Sequence, residues 1–133
     1  MRLKKIIIFY PSFERGGVEI ILLNLINFFL KKKIKIILIS NVPNKKLPKK
    51  SNFSQINPNY KKNIIFSDRL SKAIQASKSL YNILKNSNPK ETLIFSLQSS
   101  SLAILISKMN NHSIVVRNAE DPIHSTIHGE SKL

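Results

Sequence analysis

The sequence predicts an α/β fold, a Rossmann-like parallel sheet with helices on its faces. Three observations point there. Short β-branched runs alternate with longer runs of helical period. The first run, Ile6, Ile7, Ile8, Phe9 and Tyr10, is apolar without a break, as a strand is when helices cover both of its faces. No Asn-Gly or Asp-Gly hairpin turn joins two runs, so the strands are expected to run parallel through right-handed crossovers.

The first strand is expected over residues 3–9, after a basic start. Helix one follows over about residues 17–32, with Val18, Ile21, Leu22, Leu25, Ile26 and Phe29 on its buried stripe. Lys31, Lys32 and Lys33 close it, where cations complement the helix dipole. The second strand spans residues 34–40. Residues 41–62 hold Pro43, Pro48 and Pro58 among Lys45, Lys46, Lys49 and Lys50, and read as a long exposed loop. A short third strand is expected over 63–66. Ser67 or Asp68 then caps a helix whose face carries Leu70, Ala73, Ile74, Ser77, Leu80, Tyr81 and Leu84. Asn88 and Pro89 stop it. A fourth strand (92–97) leads to a short helix marked by Leu102, Ala103, Leu105, Ile106 and Met109, capped by one of Ser99 to Ser101. A fifth strand covers 113–117, and residues 118–133 show no clear period. The whole length of 133 residues reads as one domain.

Composition narrows the function classes. Hydrophobic residues make up 42% of the chain, enough for a packed core. There is no cysteine, which excludes disulfides and thiolate metal sites. The net charge is +15, from 22 Lys and Arg against 7 acids. Such a field attracts nucleic acid, anionic lipid or phosphorylated small molecules. A plainer reading stands beside it: Lys, Asn and Ile share A/T-rich codons, and the arginines are only Arg2, Arg15, Arg69 and Arg117. The apolar run 6–10 is too short for a signal peptide core. Residues 18–30 carry Glu19, Asn24 and Asn27 and fall short of the ~20 residues that span a bilayer; they read as a core helix.

Ligands of open α/β sheets bind outside the carboxyl ends of the strands. Here those ends carry Ser12, Glu14, Arg15, Gly16 and Gly17 after the first strand, Gln98, Ser99, Ser100 and Ser101 after the fourth, and Arg117, Asn118, Glu120 and Asp121 after the fifth. Gly16 and Gly17 permit φ > 0 and close approach of a ligand to the first-turn N–H groups, where the dipole favours an anion. Arg117 offers a planar fork for phosphate or carboxylate. The candidate ligand-binding residues are therefore Gly16, Gly17, Gln98, Ser99, Arg117 and Asn118. Each has a plainer alternative: a tight turn for the glycines, helix capping for the serines, pairing with Glu120 or Asp121 for Arg117, and dipole complementation for Glu19. No residue is singled out as catalytic. Neither a dinucleotide nor a mononucleotide glycine fingerprint is present, and Ser40 and Asn41 stand where a ribose-binding acid would. His124 and His128 are four apart, but Pro122 precedes them and Ser125 replaces the zincin glutamate, so no metal is expected. His112 reads as a turn residue.

The segment Phe13-x-x-Gly16-Gly17-Val18-Glu19, followed by an amphipathic helix with Leu22, Asn24 and Leu25, resembles the N-terminus of family-four glycosyltransferases, enzymes of the two-domain GT-B fold. Residues 96–108, followed by Ser113, Ile114, Val115, Val116, Arg117, Asn118, Ala119 and Glu120, are similar to the fourth- and fifth-strand region of members that build bacterial surface polysaccharides. The resemblance spans about residues 3–122. It implies an N-terminal, acceptor-side half of such an enzyme, with Gly16 and Gly17 facing the donor diphosphate. The reaction implied moves a sugar from a nucleotide-sugar to a saccharide or lipid-linked acceptor, with no cofactor beyond that donor. It also implies a cytoplasmic place, peripheral at the inner face of the plasma membrane. Many members carry a histidine after the fifth strand where this chain has Arg117. The donor-binding C-terminal domain, with its paired glutamates, is not encoded in these residues, so a truncated gene product or a separate partner chain is expected. The rival readings are a non-catalytic basic α/β module binding anionic membrane or nucleic acid, and an inert gene fragment. Lys45, Lys46, Lys49 and Lys50 lack interleaved aromatic residues, which argues against specific nucleic-acid reading.

Overall fold

The computed structural model describes residues 2–11, 17–58 and 67–117. In chain order these form β1 (Lys5–Phe9), α1 (Gly17–Lys31), β2 (Lys35–Ile39), a 3-10 turn (Asn44–Lys46), β3 (Phe53–Ile56), α2 (Asp68–Lys85), β4 (Thr92–Ser96), α3 (Ser100–Met109) and β5 (Ser113–Val116). All five strands are parallel, in the order β3-β2-β1-β4-β5. This is the α/β, Rossmann-like arrangement expected from the alternating runs.

The unbroken apolar run of β1 has a direct structural cause. Successive side chains of a strand point to opposite faces. Ile6, Ile8 and Tyr10 pack with Leu22, Ile26 and Phe29 of α1, together with Ile36 and Leu38 of β2. Ile7 and Phe9 pack on the other face with Ala76, Leu80 and Leu84 of α2, Ala103 of α3, and Ile37, Ile39 and Ile94. One helix therefore covers one face and two helices cover the other.

Some expectations need correction. The stretch read as a loop contains β3, formed by Phe53, Ser54, Gln55 and Ile56. Its strand character is tertiary. The Ile36 N–H donates to the Asn52 carbonyl at 2.8 Å and the Ser40 N–H to the Ile56 carbonyl at 3.1 Å. Gln55 Nε2 donates to the carbonyls of Ser40 (2.8 Å) and Val42 (2.9 Å), tying the end of β2 down. The strand expected over 63–66 lies outside the described residues. The helix stripes also shift. On α2, Ala76 is buried and Leu70 is exposed; on α3, Ala103 and Ser107 are buried while Leu105 and Met109 are exposed. Small residues let these helices approach the sheet closely. Burying Ser77 and Ser107 costs little, because their Oγ atoms each donate to the carbonyl four residues back, Ala73 and Ala103, at 2.7 Å.

Two helices end in the same device. After α1, the Ile34 N–H bonds the Phe29 carbonyl and the Lys33 N–H the Leu30 carbonyl; after α3, His112 bonds Ser107 and Asn111 bonds Lys108. This is the Schellman pattern, with Lys33 (φ 59°) and Asn111 (φ 58°) in the left-handed position that favours glycine. Lys33→Gly is therefore expected to raise stability by about 0.5–1 kcal/mol, read as a higher urea midpoint at unchanged slope. A lowered midpoint would contradict the strain at this turn.

The second motif places His112, which reads as a turn residue in the sequence and is buried in the fold. Its Nε2 lies 3.3 Å from the Leu84 carbonyl, joining the end of α2 to the start of β5, and its Nδ1 is buried without a hydrogen-bond partner. Burial pushes its pKa below the usual 6.5; the Leu84 carbonyl opposes the shift and Lys5 adds to it. The unfolded chain thus takes up the proton at higher pH than the folded one. The associated stability is complete above about pH 6.5 and is lost as pH falls through the lowered folded value. Chemical denaturation at a series of pH values should show this slope below about pH 6.5 in the native chain and lose it in His112→Gln. A slope unchanged by the substitution would place the titrating group elsewhere.

Candidate functional site

The strand order creates one crevice by topology. From β1 the chain turns to β2 on one side, and from β3 it returns to β4 on the other side of β1. α1 leaves toward one face and α3, after β4, lies on the opposite face. The carboxyl ends of β1 and β4 are thus the switch point at which open α/β sheets bind ligands. The ladder runs past the strand ends and holds them level. The Tyr10 N–H donates to the Ile39 carbonyl, Leu97 to Phe9 and Arg117 to Ser96, each at 3.0 Å.

Four of the six residues picked from the sequence, Gly17, Gln98, Ser99 and Arg117, stand at this edge. Gly16 and Asn118 lie outside the described residues, as do Ser12, Glu14, Arg15, Glu120, Asp121, His124 and His128. Gly17 is the first residue of α1 and is exposed. Its φ is not positive, so the backbone reason for glycine expected from the sequence does not apply here; a Cβ there would meet nothing within 4 Å. The open space beside the helix N-terminus is the feature that remains.

Gln98 is buried in the turn after β4. Ser96 Oγ lies within hydrogen-bond distance of the Gln98 carbonyl (3.3 Å) and of Ser100 Oγ (3.1 Å). That small hydroxyl network was not singled out from the sequence, where Ser96 lay within the expected fourth strand and opened the segment of family resemblance. Ser99 takes the N-cap position of α3, but in a left-handed conformation (φ 56°, ψ 43°) with no side-chain cap bond. The expected serine cap is therefore absent, because the αL backbone does not present the hydroxyl as an extended N-cap does. A non-glycine residue held there costs about 1–2 kcal/mol. By contrast Ser67 caps α2 as expected, its Oγ accepting from the Leu70 N–H at 3.3 Å.

Between the first turns of α2 and α3 lies a cleft of about 290 Å³ lined by Ser67, Leu70, Ala73, Ser99, Ser101 and Leu102. Arg117 follows β5, and its Nη1 is buried with no hydrogen-bond partner among the described residues. A buried guanidinium nitrogen without an acceptor is costly, and an oxyanion satisfies it best. On the far side of the crevice, Glu19 in the first turn of α1 accepts from Lys46 Nζ at 2.8 Å. Lys46 is thus engaged at this edge rather than a solvated loop cation. Among the described residues no group of three His, Cys, Asp or Glu side chains could hold a metal ion, and no helix is long and apolar enough to cross a membrane.

Searches of family models, of curated proteins and of solved structures found no match to this chain. Because a Cβ at position 17 meets open space, Gly17→Val should fold normally, with stability within about 0.5 kcal/mol of the native chain by urea denaturation. A large loss would show that the glycine serves packing rather than access.

Proposed function

We propose that the carboxyl edge of this sheet is the acceptor-side wall of a sugar-transfer site, and that the chain is the N-terminal half of a GT-B glycosyltransferase acting in the cytoplasm. The reaction moves a sugar from a nucleotide-sugar to a saccharide or lipid-linked hydroxyl in the synthesis of a bacterial surface polysaccharide. The observation that carries the reading is the convergence of three features on one edge. These are the open N-terminus of α1 at Gly17, the α3 N-terminus without a side-chain cap, and the unpaired buried Nη1 of Arg117. All three favour negative charge, the first two through partial positive charge on free N–H groups and the third through a full cation. A leaving nucleoside diphosphate develops such charge in the transition state, and preorganised dipoles stabilise it without reorganising. The family resemblance of the Gly16-Gly17-Val18-Glu19 junction supports the same assignment.

In a GT-B enzyme the donor is held by a second domain across the cleft. This chain alone is therefore expected to bind diphosphate weakly and to transfer no sugar, since positioning and most leaving-group stabilisation are each worth several kcal/mol of barrier. An amide NMR titration with uridine diphosphate, and separately with soluble saccharides, tests the reading. Shifts should concentrate at Gly17, Ser99, Ser100 and Arg117. Gly17→Val and Arg117→Met should each weaken diphosphate binding at least tenfold by the loss of one charge-assisted contact or of access, on the order of 1.4 kcal/mol. Unchanged binding in both folded variants, or turnover by the isolated chain, would overturn it.

A further inference from the structure

We propose that the apolar groove between α2 and α3 is the docking site of the chain's own acidic segment, residues 118–133. The inference goes beyond the sugar-transfer reading and stands without it. Both helices turn small residues to the sheet, Ala73 and Ala76 from α2 and Ala103 and Ser107 from α3. Their larger side chains are left on the flanks. There they line a groove of about 540 Å³, with Ile74 and Tyr81 on one wall, Leu102 and Ile106 on the other, and Lys78 beside them. The apolar surface continues past the groove through Leu70 (41% exposed), Leu105 (55%) and Met109 (60%). Positions 102, 105, 106 and 109 recur at helical spacing, so one whole side of α3 is apolar and open. A surface of this kind marks a docking site. Its charge has one sign. After Asp68 at its first position, the charged residues of α2 are Arg69, Lys72, Lys78 and Lys85, and α3 has Lys108 and no acid. Lys85 Nζ stands 5.4 Å from the Tyr81 ring centroid, at one end of the groove. The surface therefore suits an occupant that is apolar on one side and acidic beside it.

Residues 118–133, which lie outside the described residues, have that chemistry. They hold Glu120, Asp121 and Glu130, three of the 7 acids of the chain, against the single cation Lys132. The rest of the chain is thus more basic still than the +15 of the whole. Ile123 and Ile127 are four apart, a spacing that puts both on one side of a helix or of an extended segment. The attachment point is also right. The Arg117 N–H donates to the Ser96 carbonyl, and Ser96 Oγ lies 3.1 Å from Ser100 Oγ in the first turn of α3. The segment therefore leaves β5 beside the N-terminus of α3, at the end of the groove where Leu102 also lines the smaller cleft. A helix is about 10 Å across, so residues 118–121, at roughly 3.5 Å each, suffice to cross α3. From Leu70 to Tyr81 the flank of α2 measures about 16 Å at ~1.5 Å per residue, within the span of residues 122–133. Tethering holds the segment at roughly millimolar effective concentration, so a weak contact is enough to keep it docked. A second copy on this surface would set the lysines of α2 and α3 against the same lysines.

The test uses the full chain. A carbodiimide joins a lysine amine to a carboxylate in contact with it, with loss of water. In the native chain it should link Lys78 or Lys108 to Glu120, Asp121 or Glu130, as mapped by mass spectrometry of the monomer, and Lys78→Glu should remove the Lys78 product. The chain has no tryptophan, so a single introduced one reports burial. Ile127→Trp should emit to the blue of free tryptophan and resist acrylamide quenching, at a level independent of protein concentration. Adding Leu105→Asp with Met109→Asp, both at exposed positions, should return the emission to the red and raise quenching severalfold. Ile20→Asp with Phe28→Asp, exposed positions of α1 on the other face of the sheet, should leave it unchanged. Links found only in dimers, or a blue shift that appears only as concentration rises, would assign the groove to a second copy and overturn the proposal. So would solvent-exposed emission at position 127 with no link in the native chain, or equal effects of the two aspartate pairs. None of these readouts depends on sugar transfer.

Discussion

The structure depends on the two-sided burial of β1. Five consecutive residues, Ile6 to Tyr10, have essentially no exposure. Full burial of one large apolar side chain contributes about 1.5–3 kcal/mol before the entropy of ordering is counted. Because the side chains alternate, both layers of helices must be present for that burial to be realised. β1 also supplies the ladder on both sides, pairing Lys5 to Phe9 with β2 and with β4 in unbroken parallel register. Removing either helix layer would expose half of the central strand.

A parallel sheet sorts the molecule into two poles. All strand ends with their following helix N-termini fall at one edge, and all strand starts with the preceding helix C-termini fall at the other. Dipoles make the first edge favourable for anions and the second for cations. The chain exaggerates this division. Ser99, Ser100 and Gly17 gather at the first edge, while the α1–β2 corner of the second is crowded with lysine. Lys46, near the first edge, meets Glu19 on the opening turn of α1.

Close packing on the two-helix face rests on small residues. Ala76, Ala103, Ser77 and Ser107 are buried where longer side chains would hold α2 and α3 off the sheet. The exclusion of Leu70, Leu105 and Met109 from the core follows from the same fact. Polar backbone at the less covered edge is handled locally, with Gln55 serving two carbonyls of the β2–β3 connection and Asn52 Nδ2 donating to the Ile34 carbonyl at 3.1 Å.

Strand and helix order, parallel pairing and the location of the polar strand-end loops were legible in the sequence, because they follow from local periodicity and from the unbroken apolar run of β1. The N-cap role of Ser67 was legible for the same local reason. Four candidate site residues, Gly17, Gln98, Ser99 and Arg117, could be placed at one edge because parallel topology brings every strand end there. What local pattern did not contain was decided in three dimensions. β3 has no alternation or apolar run of its own and exists through pairing with β2. The burial of His112 comes from the end of α2, 28 residues away. Ser99 takes a left-handed turn although serine does not favour one, because the chain must pass from the buried end of β4 directly into α3. Arg117 Nη1 is enclosed without a partner by neighbours that its own strand does not name. Periodicity records which face of an element prefers to leave water, whereas register, close approach and enclosure depend on segments far apart in the chain.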